Sequence, residues 1–224
     1  MLNEHHITVT KTARYYSLGA LNANTERIWI VVHGYLQRAE DFIKMFAFWD
    51  DGKTYIVAPE ALNRSYLKGG YDKTGATWMT KDDRENEIKD YVAYLNQVFQ
   101  KIQAEKPEHA TMKVLGFSQG ATTISRWLNN NALNIEEMVL YAGELGAEML
   151  ANPQEIAFSA KRKIFVYGTS DQYITAEKVA AVSALFSGLG FAIRTFEGGH
   201  EIYSAAFELW DSSQLLGFSK KHIK

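Results

Sequence analysis

Short apolar runs alternate along the chain with stretches whose apolar residues recur every three or four positions. The runs at 28–32, 55–58, 113–116, 138–142, 164–167 and 191–196 have strand length. The later ones are too continuously apolar to be half exposed, which predicts strands covered on both faces. Ile88, Val92, Leu95, Phe99 and Ile102 fall on one face of a helix, and Thr80-x-x-Asp83 ahead of them supplies a capping-box start. Ile124, Trp127 and Leu128 after Gly120 predict a second helix, Val179, Val182 and Phe186 a third, and Ile202, Ala206 and Leu209 a fourth. Strands alternating with helices predict an α/β fold with a mostly parallel central sheet flanked by helices. Period-two character at 7–16 predicts an antiparallel edge hairpin. The stretch 59–79, rich in Gly, Tyr and Asn, reads as one long irregular loop, a kind that compact domains keep for function or leave disordered.

Composition narrows the function classes. With 224 residues, 46% hydrophobic and 22% charged, the chain can bury one core, and only three prolines and no linker argue for a single domain over 1–224. A net charge of −2 without a basic block gives no footprint for nucleic acid. The N-terminus has neither the basic start nor the apolar stretch of a secretory signal, and no run is long enough to span a bilayer, so a soluble, cytoplasmic protein without stable membrane insertion is expected. The absence of cysteine excludes disulfides, thiolate metal sites and a thiol nucleophile. No His-Glu-x-x-His or clustered carboxylate spacing is present, so no metal is expected. The run from Gly70 to Thr77 imitates a phosphate loop, but Ala76 stands where its lysine must be.

Gly116-Phe117-Ser118-Gln119-Gly120 follows a strand run and precedes a helix, the context of a nucleophile elbow. A serine on so sharp a turn needs small neighbours, and it needs a base to take its proton. Of the six histidines, His5, His6, His109 and His222 read as solvated. His200 follows the last strand run behind Gly198-Gly199, where the chain can turn over the carboxyl edge of the sheet. Asp171, carried off the run at 164–167 by Gly168-Thr169-Ser170, is positioned to accept the imidazole N–H; the alternative is a cap for the helix starting near Thr175. Glu144 is the rival acid. The order Ser118, Asp171, His200 is the one that α/β-hydrolases use. Backbone N–H groups of Tyr35, after His33-Gly34, and of Gln119, after the nucleophile, are the expected oxyanion donors. His33 itself is expected to bond neighbouring backbone and take no part in proton transfer.

These residues together resemble the phospholipase/carboxylesterase group of α/β-hydrolases, which includes acyl-protein thioesterases. The matching segments are HGY at 33–35, APE at 58–60, the Trp78 region, GFSQG at 116–120, GTSDQY at 168–173 and GGHEI at 198–202. The resemblance implies a cofactor-free serine esterase with little or no cap domain, acting on a small-molecule ester through an acyl-enzyme intermediate. Where relatives carry a Trp-aromatic-Asp run, this chain has Trp78-Met79-Thr80. Without a cap, loops must shape the acyl site, and the candidate walls are Tyr35, Leu36, Trp78, Met79 and Tyr173; Trp78 could instead pack in the core. Short to medium acyl chains are the expected substrates. The alternatives are a lysophospholipase or acyl-protein thioesterase acting on long chains, a non-catalytic binding protein, and a serine peptidase, for which 224 residues leave little room.

Overall fold

The computed structural model describes residues 1–207. Its main sheet has seven strands, and the core of that sheet follows from the apolar runs. β2 (Arg27–Val32) pairs in parallel with β3 (Thr54–Pro59) on one side and with β6 (Thr111–Phe117) on the other. β7 (Glu137–Tyr141), β8 (Arg162–Gly168) and β9 (Phe191–Phe196) continue the parallel series. β1 (Tyr15–Leu18) adds to β3 antiparallel, which gives the order β1-β3-β2-β6-β7-β8-β9.

Successive side chains of a strand face opposite ways, and in β2 both faces are dry. Ile28, Ile30 and Val32 join a cluster with Leu95, Val98, Phe99 and Ile102 of α2 (Arg84–Glu105) and Ile124 and Trp127 of α3 (Gln119–Leu128). Trp29 and Val31 face the other way, toward Phe42 and Ile43 of α1 (Ala39–Lys44) and toward Phe46. α5 (Ala176–Gly188) covers the far end of the first face through Val179 and Phe186. Among the described residues, no helix is long and apolar enough to cross a membrane.

Five expectations change. Residues 7–14 form no strand, and Ile7 and Val9 are exposed, so the N-terminal segment contributes one edge strand and no hairpin. The last strand is an edge and therefore half exposed along its middle, although the run is apolar. Thr80 and Asp83 do not form a capping box. Asp83 is the N-cap residue of α2 and makes no side-chain cap bond, while Thr80 donates through its amide and hydroxyl to Glu87 in the first turn of the helix. Ile202 lies outside helix, residues 205–207 are helical, and Leu209 falls beyond the described residues.

The fifth change is in the stretch 59–79, which holds an antiparallel hairpin, β4 (Asn63–Tyr66) with β5 (Thr74–Thr77), in the register Asn63↔Thr77 to Tyr66↔Thr74. Its base lies against the chain that leaves β2. Leu36 N–H donates to Ala76 O at 2.9 Å and Ala76 N–H to Gln37 O at 3.2 Å. A Cβ at Gly75 would lie 2.5 Å from Leu36 O, so glycine is required for this approach.

Candidate active site

At the carboxyl end of β6 the chain turns through Ser118, with φ 55° and ψ −119°, straight into α3. That conformation is costly for a residue with a side chain, and its surroundings impose it. Ser118 N–H donates to Tyr141 O at 2.9 Å, and Ala121 N–H donates to Ser118 O at 2.9 Å. The neighbours must be bare. A Cβ on Gly116 would lie 2.2 Å from Gly120 O, and one on Gly120 would lie 2.1 Å from Val32 O. Gly143, which the sequence reading did not single out, meets the same limit, because its Cβ would come within 2.3 Å of Ser118 O.

Two further loops converge on the serine. Gly168 ends β8 so close to the loop after β9 that its Cβ would lie 2.3 Å from Gly198 O. Thr169 and Ser170 donate their amides to Phe196 O and Gly198 O at 2.9 and 2.8 Å. These bonds bring Asp171 and His200 together. His200 Nδ1 lies 2.8 Å from Asp171 Oδ2, and His200 Nε2 lies 2.9 Å from Ser118 Oγ. The Asp171 carboxylate is fully buried, and its other oxygen accepts from Tyr173 N–H at 2.7 Å and Ile174 N–H at 3.0 Å. Three hydrogen bonds thus converge on this one side chain and fix its orientation. With that acceptor in place, Nδ1 carries the proton and Nε2 presents its lone pair to the serine hydroxyl. The imidazole sits between the rings of Phe117 and Tyr173, at centroid distances of 5.0 and 4.7 Å. The cap for α5 is Thr175, so Asp171 is not diverted to that role. Glu144 is exposed, and its carboxylate pairs with Lys178 at 3.2 Å.

The expected oxyanion donors flank this group. Among the described residues, neither Tyr35 N–H nor Gln119 N–H has a hydrogen-bond partner. The Gln119 side chain ties the elbow to the end of the hairpin: Oε1 accepts from Trp78 N–H at 3.2 Å, and Nε2 donates to Met79 O at 3.1 Å. His33 is structural in its bonding. Nδ1–H donates to Gly34 O at 2.8 Å, Nε2 accepts from Ala61 N–H at 3.1 Å, and its carbonyl accepts from Trp78 Nε1–H at 2.9 Å. Burial lowers its pKa to about 4, against the weaker opposing pull of the Gly34 hydrogen bond and the field of Glu60, so the ring is neutral at pH 7.

A cleft of about 390 Å³ opens over the serine, lined by Gly34, Tyr35, Gln37, Phe117, Tyr173 and His200. Tyr35 and Tyr173 stand exposed at its mouth. Met79 lines an adjoining hollow of about 510 Å³ that shares Tyr35. The other two candidate walls lie elsewhere. Trp78 is 1% exposed and packs between His33 and Tyr91, at 5.1 and 6.2 Å, because its indole N–H is committed to His33 O. Leu36, with a φ of 58° and its N–H bonded to Ala76 O, lines neither hollow. Gln37 and Phe117 line the cleft without having been foreseen. Among the described residues, no group of three or more His, Asp or Glu could hold a metal ion.

Residues 29–206 match the family model described as serine hydrolase (FSH1). A search of curated proteins found no match to this sequence. Solved structures share the fold. Esterase PE8 is 22% identical, with TM-score 0.67 over 89% of this chain and 96% of its own. A phospholipase/carboxylesterase from Dyadobacter fermentans is 17% identical, with TM-score 0.66 over 90% and 96%. Acyl-protein thioesterase 2 from Zea mays is 15% identical, with TM-score 0.65 over 88% and 96%.

Proposed function

Because the chain belongs to the serine hydrolase family described as FSH1, we propose that it hydrolyses carboxylic or thio esters of short to medium acyl chains, with Ser118, His200 and Asp171 as its triad. The observation that carries this reading is the continuous chain of short contacts from Asp171 through His200 to Ser118, at 2.8 and 2.9 Å. Ser118 Oγ attacks the carbonyl carbon while His200 Nε2 takes its proton, and Asp171 stabilises the imidazolium that forms. The negative charge gathered on the carbonyl oxygen is met by Tyr35 N–H and Gln119 N–H. The tetrahedral species then collapses. The C–O or C–S bond breaks, the leaving alcohol or thiol takes the proton from His200, and the acyl group stays on Ser118. Water attacks that acyl-enzyme by the same route in reverse, giving the acid and free serine.

The acyl range rests on the shape of the cleft. Its walls are Phe117, Gln37 and two exposed tyrosines, so methylenes beyond the first few leave the apolar surface and add little binding. An acyl-length series of nitrophenyl esters tests this, with butyrate expected to outrun palmitate. A long-chain reading, as lysophospholipase or protein thioesterase, draws on the apolar groove of about 160 Å³ lined by Leu145, Leu150, Ile174, Val179 and Phe186, which begins beside the Asp171 loop. A palmitate optimum would select it. For the chemistry itself, Ser118→Ala should fold, lose about a million-fold in turnover and resist an organophosphonate probe. Labelling of that variant would refute the assignment of Ser118.

A further inference from the structure

Gln37 stands in the cleft without a part in the triad, yet its side chain is committed. Its Oε1 accepts from Gly34 N–H at 2.7 Å, and the Gln37 backbone N–H donates to Gly34 O at 3.3 Å. Of the two ends of a carboxamide only the oxygen can accept, so this bond also fixes which way round the Gln37 side chain sits. The contact is close to the chemistry, since a Cβ built on Gly34 would lie 3.0 Å from Gln37 Oε1 and 3.2 Å from Ser118 Cβ. Two residues lie between the partners: Leu36, whose N–H is bonded to Ala76 O, and Tyr35, whose N–H has no partner among the described residues. The rest of the turn is anchored from outside. His33 Nδ1–H holds Gly34 O, and Leu36 and Gln37 are bonded to Ala76 of the hairpin. Gly34 N–H has the Gln37 side chain as its partner, and among the described residues no other element supplies one.

From this arrangement, and resting on the triad reading above, we infer that Gln37 is a positioning residue for the oxyanion site, closing the turn at Gly34 so that Tyr35 N–H points at the developing charge. The Gln37 carboxamide needs no contact with substrate for this. Losing the bond leaves Gly34 N–H free to seek water and releases the peptide ahead of the turn; the next peptide, which carries Gly34 O and Tyr35 N–H, then keeps only its bonds at Gly34 O, from His33 and the Gln37 backbone, and can swing about them. A donor aimed off by tens of degrees contributes little, because hydrogen bonds weaken steeply with angle. Binding of the neutral ester changes far less than stabilisation of its transition state, so the loss falls on kcat rather than on KM.

A pair of esters differing only in C=O against C=S reads this directly, since sulfur accepts hydrogen bonds weakly and gains little from an oxyanion site. The assay compares kcat/KM for nitrophenyl butyrate and its thiono counterpart in the wild type, Gln37→Met, Gln37→Asn and Gln37→Glu. Methionine cannot accept the Gly34 N–H strongly, and asparagine is one carbon too short to reach it. In both, the oxo ester should slow by about a hundred-fold and the oxo-to-thiono ratio should drop at least about tenfold, as removal of one oxyanion donor would cause. Glutamate keeps an acceptor oxygen in place. Its charge slows both esters alike, so its ratio should stay within about threefold of wild type. Met and Asn variants that keep the wild-type ratio, whether fully active or slowed equally on both esters, would overturn the role of Gln37. A wild type that cleaves neither ester would instead overturn the hydrolase reading on which it rests. Slow end-point titration of Ser118 with a phosphonate counts folded sites in every variant, and the Met and Asn substitutions guard each other against misfolding.

Discussion

Lowering the pH should destabilise the protein through His33. The imidazole is fully buried, both of its nitrogens are bonded to backbone, and burial lowers its pKa from 6.5 to about 4. An unfolded chain frees the ring to take a proton at its ordinary value, so between these two values the unfolded state binds more protons than the native one. Stability from the neutral ring is therefore complete above 6.5 and is lost as the pH falls toward 4. At about 1.4 kcal/mol per pH unit, the whole interval is worth about 3 kcal/mol, and the part crossed between about pH 7.5 and about pH 5 is worth about 2 kcal/mol. Carboxylates also titrate in that range, so the wild type alone is not informative. Urea unfolding of the wild type and His33→Gln at both pH values removes the shared contribution. The variant should be the less stable of the two at about pH 7.5, having lost fitted hydrogen bonds, and the gap should narrow by about 2 kcal/mol at about pH 5. An equal gap at both pH values, or a native His33 resonance titrating near 6.5, would refute the reasoning.

Asp171→Asn should slow turnover about ten-thousand-fold by favouring the wrong imidazole tautomer, while Glu144→Gln stays close to wild type; steady-state rates on one activated ester decide between the two acids. Trp78→Ala should cost about 3–5 kcal/mol in urea or thermal unfolding and leave the acyl-length profile unchanged, because the indole fills the core between His33 and Tyr91. Gly120→Ala should fail to give folded protein by circular dichroism, since its methyl would lie 2.1 Å from Val32 O. Gly188→Ala, with nothing within 4 Å of the added methyl, should be harmless and serves as its control.

The features legible in the sequence are those that a single residue type enforces. Parallel strands buried on both faces must be continuously apolar, so β2, β6 and β7 stand out. The elbow is visible because Gly116 and Gly120 leave no room for anything else, and the order of Ser118, Asp171 and His200 follows from the strands that end at each loop. The hairpin in 59–79 was hidden because NRSY and TGAT carry no apolar alternation; its hold on the fold is through backbone bonds and the bare Gly75. Trp78 could not be placed from pattern, since an aromatic after a loop reads the same whether it walls a cleft or lies beneath it. The bond from its indole to His33 O decides that, and only the folded chain brings the two together. Gln37 escaped for the same reason: its partner is three residues away, but its meaning comes from Ser118, far along the sequence.

The hairpin has one further consequence. Its base is locked to Leu36 and Gln37, and beyond Leu67, whose amide closes the loop onto Lys73 O, the tip packs the Tyr71 ring on Tyr66 at 5.0 Å. Gly69 has nothing within 4 Å of where a side chain would begin, and Gly70 meets only the end of Asp72. Both have positive φ, so added residues would fit better as an insertion between them than as replacements. That makes the tip a natural graft point: a peptide tag, a reporter or a surface tether inserted there would be carried on a short rigid arm, a few residues from the site yet outside every bond that shapes it.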